Sequence, residues 1–236
     1  MKYALVTGAT TGMGLAIAKE LISKGYFVYM HYIEELSIVD TVTLAPDIYK
    51  LIETDFSYPE SADILVRQII EDGVKLDCVV LNAGTTCRKD FGEINYDDWN
   101  AVMNVNVNSP FLICQSLAPV IKDFGSIIFI GSSMGIHPHA SVSVYSVSKA
   151  ATHMLAKSLV KHFADRKIRV NAVAPGFIDT QWQKDKPQWH IEKIESKIAL
   201  GRFGTPEEIV DACMFLLNNT YMNGSVLQID GGYDFE

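Results

Sequence analysis

Apolar residues come in short runs, each closing on glycine or a small polar residue and followed by residues at helical spacing. Residues 3–7 form the first run and end at Gly8. Residues 15–23 follow, with Ile17, Leu21 and Ile22 on one side, as an amphipathic helix requires. Residues 26–32 and about 48–53 read as the next two strands, and Pro46 between them leaves room for only a short crossover. Ser57 and Glu60 stand at capping-box spacing and predict a helix running to Glu71. Residues 76–81 form a buried strand closing on Asn82-Ala-Gly84, with a loop over 85–92. Asn95 and Asp98 predict a capped helix over 99–122. Within it, Asn104, Asn106 and Asn108 need polar partners, which points to a local break or a bound water.

A strand over 126–131, a helix over 144–163 and a strand over 168–173 come next. Residues 181–200 are polar, carry Trp182 and Trp189, and read as a mobile lid or a small helical excursion. Thr205, Pro206, Glu207 and Glu208 supply a cap, a first-turn proline and first-turn acids for a helix running to Leu217. A last strand spans 225–230. Strand and helix alternate almost throughout, which predicts an α/β fold, a parallel sheet with helices on both faces. No repeat or linker interrupts the pattern, so 1–236 reads as one domain.

Composition narrows the function classes. The apolar fraction of 48% supports a sizeable core. A formal charge of −8 argues against nucleic acid and against anionic membranes. No run of eighteen apolar residues occurs, so no spanning helix is expected. The N-terminus becomes strand-like at once, without a signal-peptide pattern. Cys78, Cys87, Cys114 and Cys213 are widely spaced, so free thiols and a cytoplasmic location are expected.

Candidate chemistry lies where the strands end. Gly8, Thr11, Gly12 and Gly14 form a glycine-rich turn between the first strand and the first helix. Such a turn lets backbone approach a pyrophosphate, and the helix N-terminus offers it free amides. No lysine follows as in a nucleoside-triphosphate loop. The second strand ends at Tyr32, where a dinucleotide's ribose is normally met. No Asp stands there, Glu34 and Glu35 come slightly late, and neither Tyr32 nor Thr11 is basic. Asp55, ending the third strand, meets an adenine ring or merely precedes the next helix. Asn82, Ala83 and Gly84 permit close packing beside a cofactor. Ser132 follows the strand over 126–131, thirteen residues before Tyr145. Tyr145 and Lys149 are four apart on a helix and share a face. A nearby cation favours phenolate and fits the tyrosine for proton transfer. His137 and His139 should flank the cleft; with no acidic or cysteine partner at ligand spacing, a metal site is not expected.

Taken in order, Thr7-Gly8-x-x-x-Gly12-x-Gly14, Asn82-Ala-Gly84, Asn106, Ser132, Tyr145-x-x-x-Lys149, Pro175-Gly176 and Thr180 resemble the short-chain dehydrogenase/reductase family over nearly the whole chain. The resemblance implies a Rossmann-type doubly wound sheet of about seven strands, NAD or NADP as cofactor with the preference open, and reversible alcohol/carbonyl chemistry. It implies Tyr145 as general acid/base, Ser132 orienting the substrate oxygen, and Lys149 lowering the tyrosine pKa and holding the nicotinamide ribose. Asn106 would hold a water linking Lys149 to solvent. The cofactor would also touch Met13, Pro175, Gly176, Ile178 and Thr180. The chain departs from the family at Tyr32, in the short segment after it, and in lacking an arginine before Gly12. Family members commonly form dimers or tetramers through the two long helices.

Three readings follow. The first is an NAD(P)-dependent oxidoreductase interconverting a secondary alcohol and a ketone of small or medium size. A narrower one is 3-oxoacyl-(acyl carrier protein) reductase. Against it, Asp123 stands where carrier-protein reductases of the family have a basic residue, leaving Arg166 and Lys167 as half a patch. The third, of another class, is a non-catalytic dinucleotide sensor on the same fold. A sensor has no need of a proton relay, and the Ser132, Tyr145, Lys149 and Asn106 set argues against it.

Overall fold

The computed structural model describes residues 1–33 and 46–233. Seven strands form one sheet: β1 (Lys2–Val6), β2 (Tyr26–Tyr32), β3 (Tyr49–Glu53), β4 (Leu76–Leu81), β5 (Ile121–Ile130), β6 (Arg169–Pro175) and β7 (Val226–Ile229). Their spatial order is β3-β2-β1-β4-β5-β6-β7, and every pairing is parallel. Parallel neighbours require crossovers, and after β1, β3, β4, β5 and β6 these contain helices. They are α1 (Gly12–Ser23), α2 (Ala62–Glu71), α3 (Tyr96–Met103), α4 (Ser109–Leu117), α5 (Ser143–Leu159), α6 (Gln188–Glu195) and α7 (Pro206–Asn218). The expected crossover after β2, with Glu34 and Glu35, lies outside the described residues.

Successive strand residues face opposite sides, so a sheet covered on both faces must be apolar throughout. Leu5, Tyr29, Val79 and Leu81 pack towards α2, α4 and α5 in one core. Ala4, Val6, Val28, Met30, Cys78 and Val80 alternate with them and pack towards α1 and α7 in a second core. The strand order reverses between β1 and β4. At that point the loops from the two strands diverge and leave a crevice at their C-terminal ends, where ligands of open α/β sheets bind.

The expected helix over 99–122 is not continuous. Asn95 caps α3: its side chain accepts from the Asp98 amide at 2.9 Å, and the Asp98 carboxylate accepts from the Asn95 amide at 3.1 Å. A π-helical turn, Asn104–Asn108, separates α3 from α4. The chain then enters β5 at Ile121, so Lys122 is a strand residue, paired with Asp77 at 2.8 Å. The helix expected from Ser57 begins instead at Ala62, after a tight turn over Pro59–Ser61. The Ser57 amide is already taken by the Asp55 carboxylate at 2.8 Å, which shapes that turn. At Thr205 the expected cap is present, with its amide donating to Glu208 at 2.8 Å.

Candidate active site

The glycine-rich turn is held from three sides. Thr7 Oγ1 accepts from the amides of Asn82 and Ala83 at 2.9 and 3.0 Å. Asn82 Nδ2 donates to the carbonyls of Thr7 and Gly8 at 2.9 and 3.0 Å. His31, one residue before Tyr32, accepts from the Gly8 amide at 3.1 Å through Nδ1 and donates to the Thr54 carbonyl at 2.8 Å through Nε2. Its ring stacks on Phe56 with centroids 4.0 Å apart. Burial holds the His31 imidazole down at about 4, so it is neutral and keeps this donor–acceptor pattern.

Space and free amides here fit a dinucleotide. A Cβ on Gly14 would stand 1.9 Å from the Gly8 carbonyl oxygen, so no side chain is accommodated. Gly8 and Gly12 take positive φ angles of 61° and 51°, which favour glycine. Thr11 precedes α1 in extended conformation without a side-chain cap, and the first turn carries no acid. The opening amides of α1 and its positive dipole end therefore suit a pyrophosphate. Tyr32 donates to Glu53 at 3.3 Å and offers no charge to a ribose.

The second half of the site is built on β5 and α5. Ser132, just past β5, is buried, and its hydroxyl accepts from the Met134 amide at 3.2 Å. The hydroxyl lies near enough to the Tyr145 phenol to favour its ionised form. Lys149 is buried one turn further along α5 and donates to the Ile130 carbonyl at 2.8 Å, with its Nζ 5.6 Å from the centre of the Tyr145 ring. Burial pushes the Tyr145 phenol up, and the Ser132 hydroxyl acts in the opposite direction. The lowering expected from Lys149 does not enter this balance: its ammonium is turned to the Ile130 carbonyl, and desolvation of the ring dominates. Burial brings Lys149 itself down to about 8.

Asn106 sits in the π-helical turn and is buried. Its amide grips Thr85 at 2.8 and 2.9 Å and donates to Ser148 at 2.9 Å. The side chain thus ties the loop after β4 to α5, while its backbone carbonyl accepts from Thr152 at 3.1 Å. Gly84 lies beside them: a Cβ there would touch both Asn106 Oδ1 and Lys149 Nζ at 3.4 Å, an ordinary contact.

Ser132, Tyr145 and Lys149 open onto a cleft of about 490 Å³. Of the residues expected at the cofactor, Met13, Asn82, Gly84, Pro175, Gly176, Ile178 and Thr180 also line it. Gly8, Thr11, Gly12, Gly14, Tyr32, Asp55 and Ala83 lie along the C-terminal ends of β1 to β4 without lining this cavity. His139 lines the cleft and pairs with Ser141 at 2.8 Å, whereas His137 is exposed and does not line it. Trp182 lines it beside Tyr145, ring centroids 6.4 Å apart; Trp189 is exposed and stacks on His190. Among the described residues no three His, Cys, Asp or Glu gather in a metal-holding arrangement.

Sequence reasoning missed several contributors. Arg88, Asp185, Lys186 and His190 line the cleft from the loop after β4 and the 181–200 segment. His153, two turns along α5 from Tyr145, accepts from the Ser132 amide at 3.3 Å. Its ring fills the space against Gly131 and Gly135, where Cβ atoms would come within 2.0 and 2.9 Å of it. The signal for His153 was its helical phase: eight residues after Tyr145 returns close to the same face.

Residues 8–234 match the family model described as Enoyl-(Acyl carrier protein) reductase. The chain belongs to the short-chain dehydrogenase/reductase family. It is 35% identical to the 3-oxoacyl-[acyl-carrier-protein] reductase FabG of Thermotoga maritima, over 98% of this chain and 97% of that one. Among solved structures, 4-hydroxyisoleucine dehydrogenase complexed with NADH superposes with a TM-score of 0.93 at 26% identity, covering 100% of both chains. A blue fluorescent protein from a metagenomic library, in complex with NADPH, gives 0.91 at 29% identity over 99% and 98% of the two chains. This short-chain dehydrogenase/reductase is an NAD(P)-dependent oxidoreductase that interconverts a secondary alcohol and a ketone. The Rossmann-type sheet expected from its motifs is the one observed.

Proposed function

We propose that Tyr145 is the general acid/base of this reaction, with Ser132, Lys149 and Asn106 in support, acting on a free small-molecule substrate. One observation carries the reading: a buried serine hydroxyl, a phenol and a buried ammonium 5.6 Å from the phenol's ring centre, opening onto one cleft. The bound nicotinamide supplies or accepts the hydride. In reduction, Tyr145 gives its proton to the carbonyl oxygen, and in oxidation it takes the hydroxyl proton back. Ser132 holds that oxygen by donating to it. Lys149 stabilises the phenolate and would hold the nicotinamide ribose. Asn106 braces the Thr85 loop against α5, and its carbonyl is the group that would hold a connecting water. Gly8, Thr11, Gly12, Met13 and Gly14 would hold the pyrophosphate. Tyr32 and Asp55 would face the adenosine, Asn82, Ala83 and Gly84 would pack beside the cofactor, and Pro175, Gly176, Ile178 and Thr180 would hold its nicotinamide end.

A free substrate, rather than one on an acyl carrier protein, is favoured by how the basic residues are spent. The Arg166 guanidinium pairs with Asp123 at 2.8 Å and donates to the carbonyls of Ala118 and Ile121. Lys122 is paired with Asp77. At these two positions an acidic carrier protein would thus meet neutralised cations, on a chain of net charge −8. The relatives' names favour the carrier-protein reading, so the two need a direct comparison.

We read the chain as one domain with residues 181–200 as its lid, working as a homodimer or homotetramer. Exposed Phe111 on α4 and Val147 and Met154 on α5 support self-association. All four cysteines are free thiols, which supports a cytoplasmic location. The testing experiment is NAD(P)H oxidation over a carbonyl panel with Tyr145→Phe. Loss of turnover with cofactor binding intact is expected; more than a few per cent of wild-type kcat, as an order of magnitude for losing a general acid, would sink the assignment. Presenting one 3-oxoacyl chain on carrier protein and on a thioester mimic decides the substrate form. A more than roughly tenfold higher kcat/KM on the carrier, falling steeply with salt, would establish the carrier-protein reading.

A further inference from the structure

Four charged residues line the cleft among the described residues: Lys149, Arg88, Lys186 and Asp185. Lys149 is buried at the floor and bonded to the Ile130 carbonyl. The other three are near the mouth, Arg88 exposed on the loop after β4 and Lys186 half-buried in the 181–200 segment. These two cations come from separate parts of the chain, and neither makes an ion pair or side-chain hydrogen bond among the described residues. Of the other cations, Lys50, Lys89, Lys122, Arg166 and Arg202 each face an acid within 3.0 Å. In a chain of net charge −8, these two cations share one concavity.

They also act on each other. Partial burial and the charge of Arg88 both hold Lys186 below the ordinary lysine value, and Asp185 acts in the opposite direction. An anion between Arg88 and Lys186 would relieve that repulsion. Arg88, Lys186 and Asp185 together leave one positive charge, which suits a singly charged group. The cleft they share with Ser132 and Tyr145 also has apolar wall from Val142, Phe177, Trp182 and Ile194.

We propose that the substrate carries a carboxylate, held between Arg88 and Lys186, with a short apolar chain leading from it to the carbonyl or hydroxyl at Ser132 and Tyr145. This rests on the reading of Ser132 and Tyr145 as the reacting end. The cleft then selects oxo acids or hydroxy acids over neutral ketones and alcohols. Electrostatic focusing in a concave, partly desolvated site gives the preference its size.

The test uses 4-oxopentanoate and 5-oxohexanoate beside their methyl esters, with wild type and the double variant Arg88→Gln/Lys186→Gln. Wild type is expected to favour the acid about tenfold or more in kcat/KM for at least one chain length, with the preference shrinking in added salt. In the double variant the acid's kcat/KM should fall roughly tenfold further than the ester's, with cofactor Kd unchanged. Esters used as well as acids at both lengths, or a preference unchanged in the variant, would overturn the proposal. So would a variant whose loss lies in cofactor affinity, since the cations would then be serving the cofactor. Should wild type reduce no ketone at all, the assignment of the reacting end fails separately. Calorimetry on the cofactor-saturated enzyme then decides the anion site: acid binding tighter than ester binding, and lost in the double variant, supports it, and equal affinities overturn it.

Discussion

Acidification to pH 5 should cost this enzyme stability through two histidines. His31 and His153 are 3% and 6% exposed, and burial, with Lys149 and Lys157 adding to the effect at His153, holds each near 4 instead of 6.5. Between those values the unfolded chain binds a proton at each position and the folded chain does not. Stability contributed by the neutral rings is therefore complete above about 6.5 and is lost as pH falls towards 4. At pH 5 the linkage relation gives about 2 kcal/mol per histidine, or about 4 kcal/mol together. That is a sizeable share of the roughly 5–15 kcal/mol that holds a domain folded. Carboxylates do not blur the window. Glu208 is lowered to about 2 by Arg202, and Asp72 and Asp98 are lowered by Lys50 and Lys89, so their contributions persist above the ordinary carboxylate range and fade only in stronger acid. The assay is urea unfolding followed by tryptophan fluorescence at pH 7.5, 6 and 5, for wild type and His153→Gln. The variant should lose about half of the pH dependence. Unfolding free energies that agree at pH 7.5 and 5 in wild type would refute the claim that these rings are held neutral by their surroundings.

Three further outcomes are expected. Gly14→Ala places a methyl 1.9 Å from the Gly8 oxygen and should weaken cofactor binding about tenfold to a hundredfold, measured by calorimetry; unchanged affinity would remove the turn from the site. His153→Leu removes the acceptor of the Ser132 amide and should lower kcat about tenfold with cofactor Kd intact, while His153→Gln, which keeps an acceptor, recovers part of the rate; equal rates for both variants would argue that the ring only fills space. Discrimination between NAD(H) and NADP(H) should stay under about a hundredfold in kcat/KM, because Tyr32 brings neither the acid nor the base that creates a strong preference, and a larger ratio would contradict this.

Most of the fold was legible because a sheet covered on both faces leaves an unambiguous trace. The residue runs ending at Gly8, Asn82 and Gly131 are too apolar and too short for anything but buried strands. That Tyr145, Lys149 and Ser132 meet at one cleft was legible for another reason: they are held at fixed spacing on one helix and one strand end. What escaped was context. The start of β5 is masked by Lys122 and Asp123, polar because they pair with Asp77 and Arg166 across elements far apart in sequence. Helical propensity therefore seemed to continue past Leu117. The outer cleft escaped because Arg88 and Lys186 belong to irregular loops, whose meeting is set by tertiary packing and leaves no period. His31 and His153 read as ordinary strand and helix residues until their ring nitrogens are seen to hold Gly8 and Ser132.

The π-helical turn at Asn104–Asn108 has a bearing on insertions and deletions. A π turn takes up one more residue than an α-helix would along the same path. Removing one residue there would let α3 and α4 join in an unbroken α ladder, a gain in local regularity. Because the turn covers the same path with one residue more, that loss would leave α4 in its present phase, with Ile113, Cys114 and Leu117 still in the core. What it would erase is the local bulge that carries Asn106 to Thr85 and Ser148. A single codon lost at the turn should therefore spare the fold and damage the cleft: in a deletion scan, loss of one residue within 104–108 should keep folding and lose turnover.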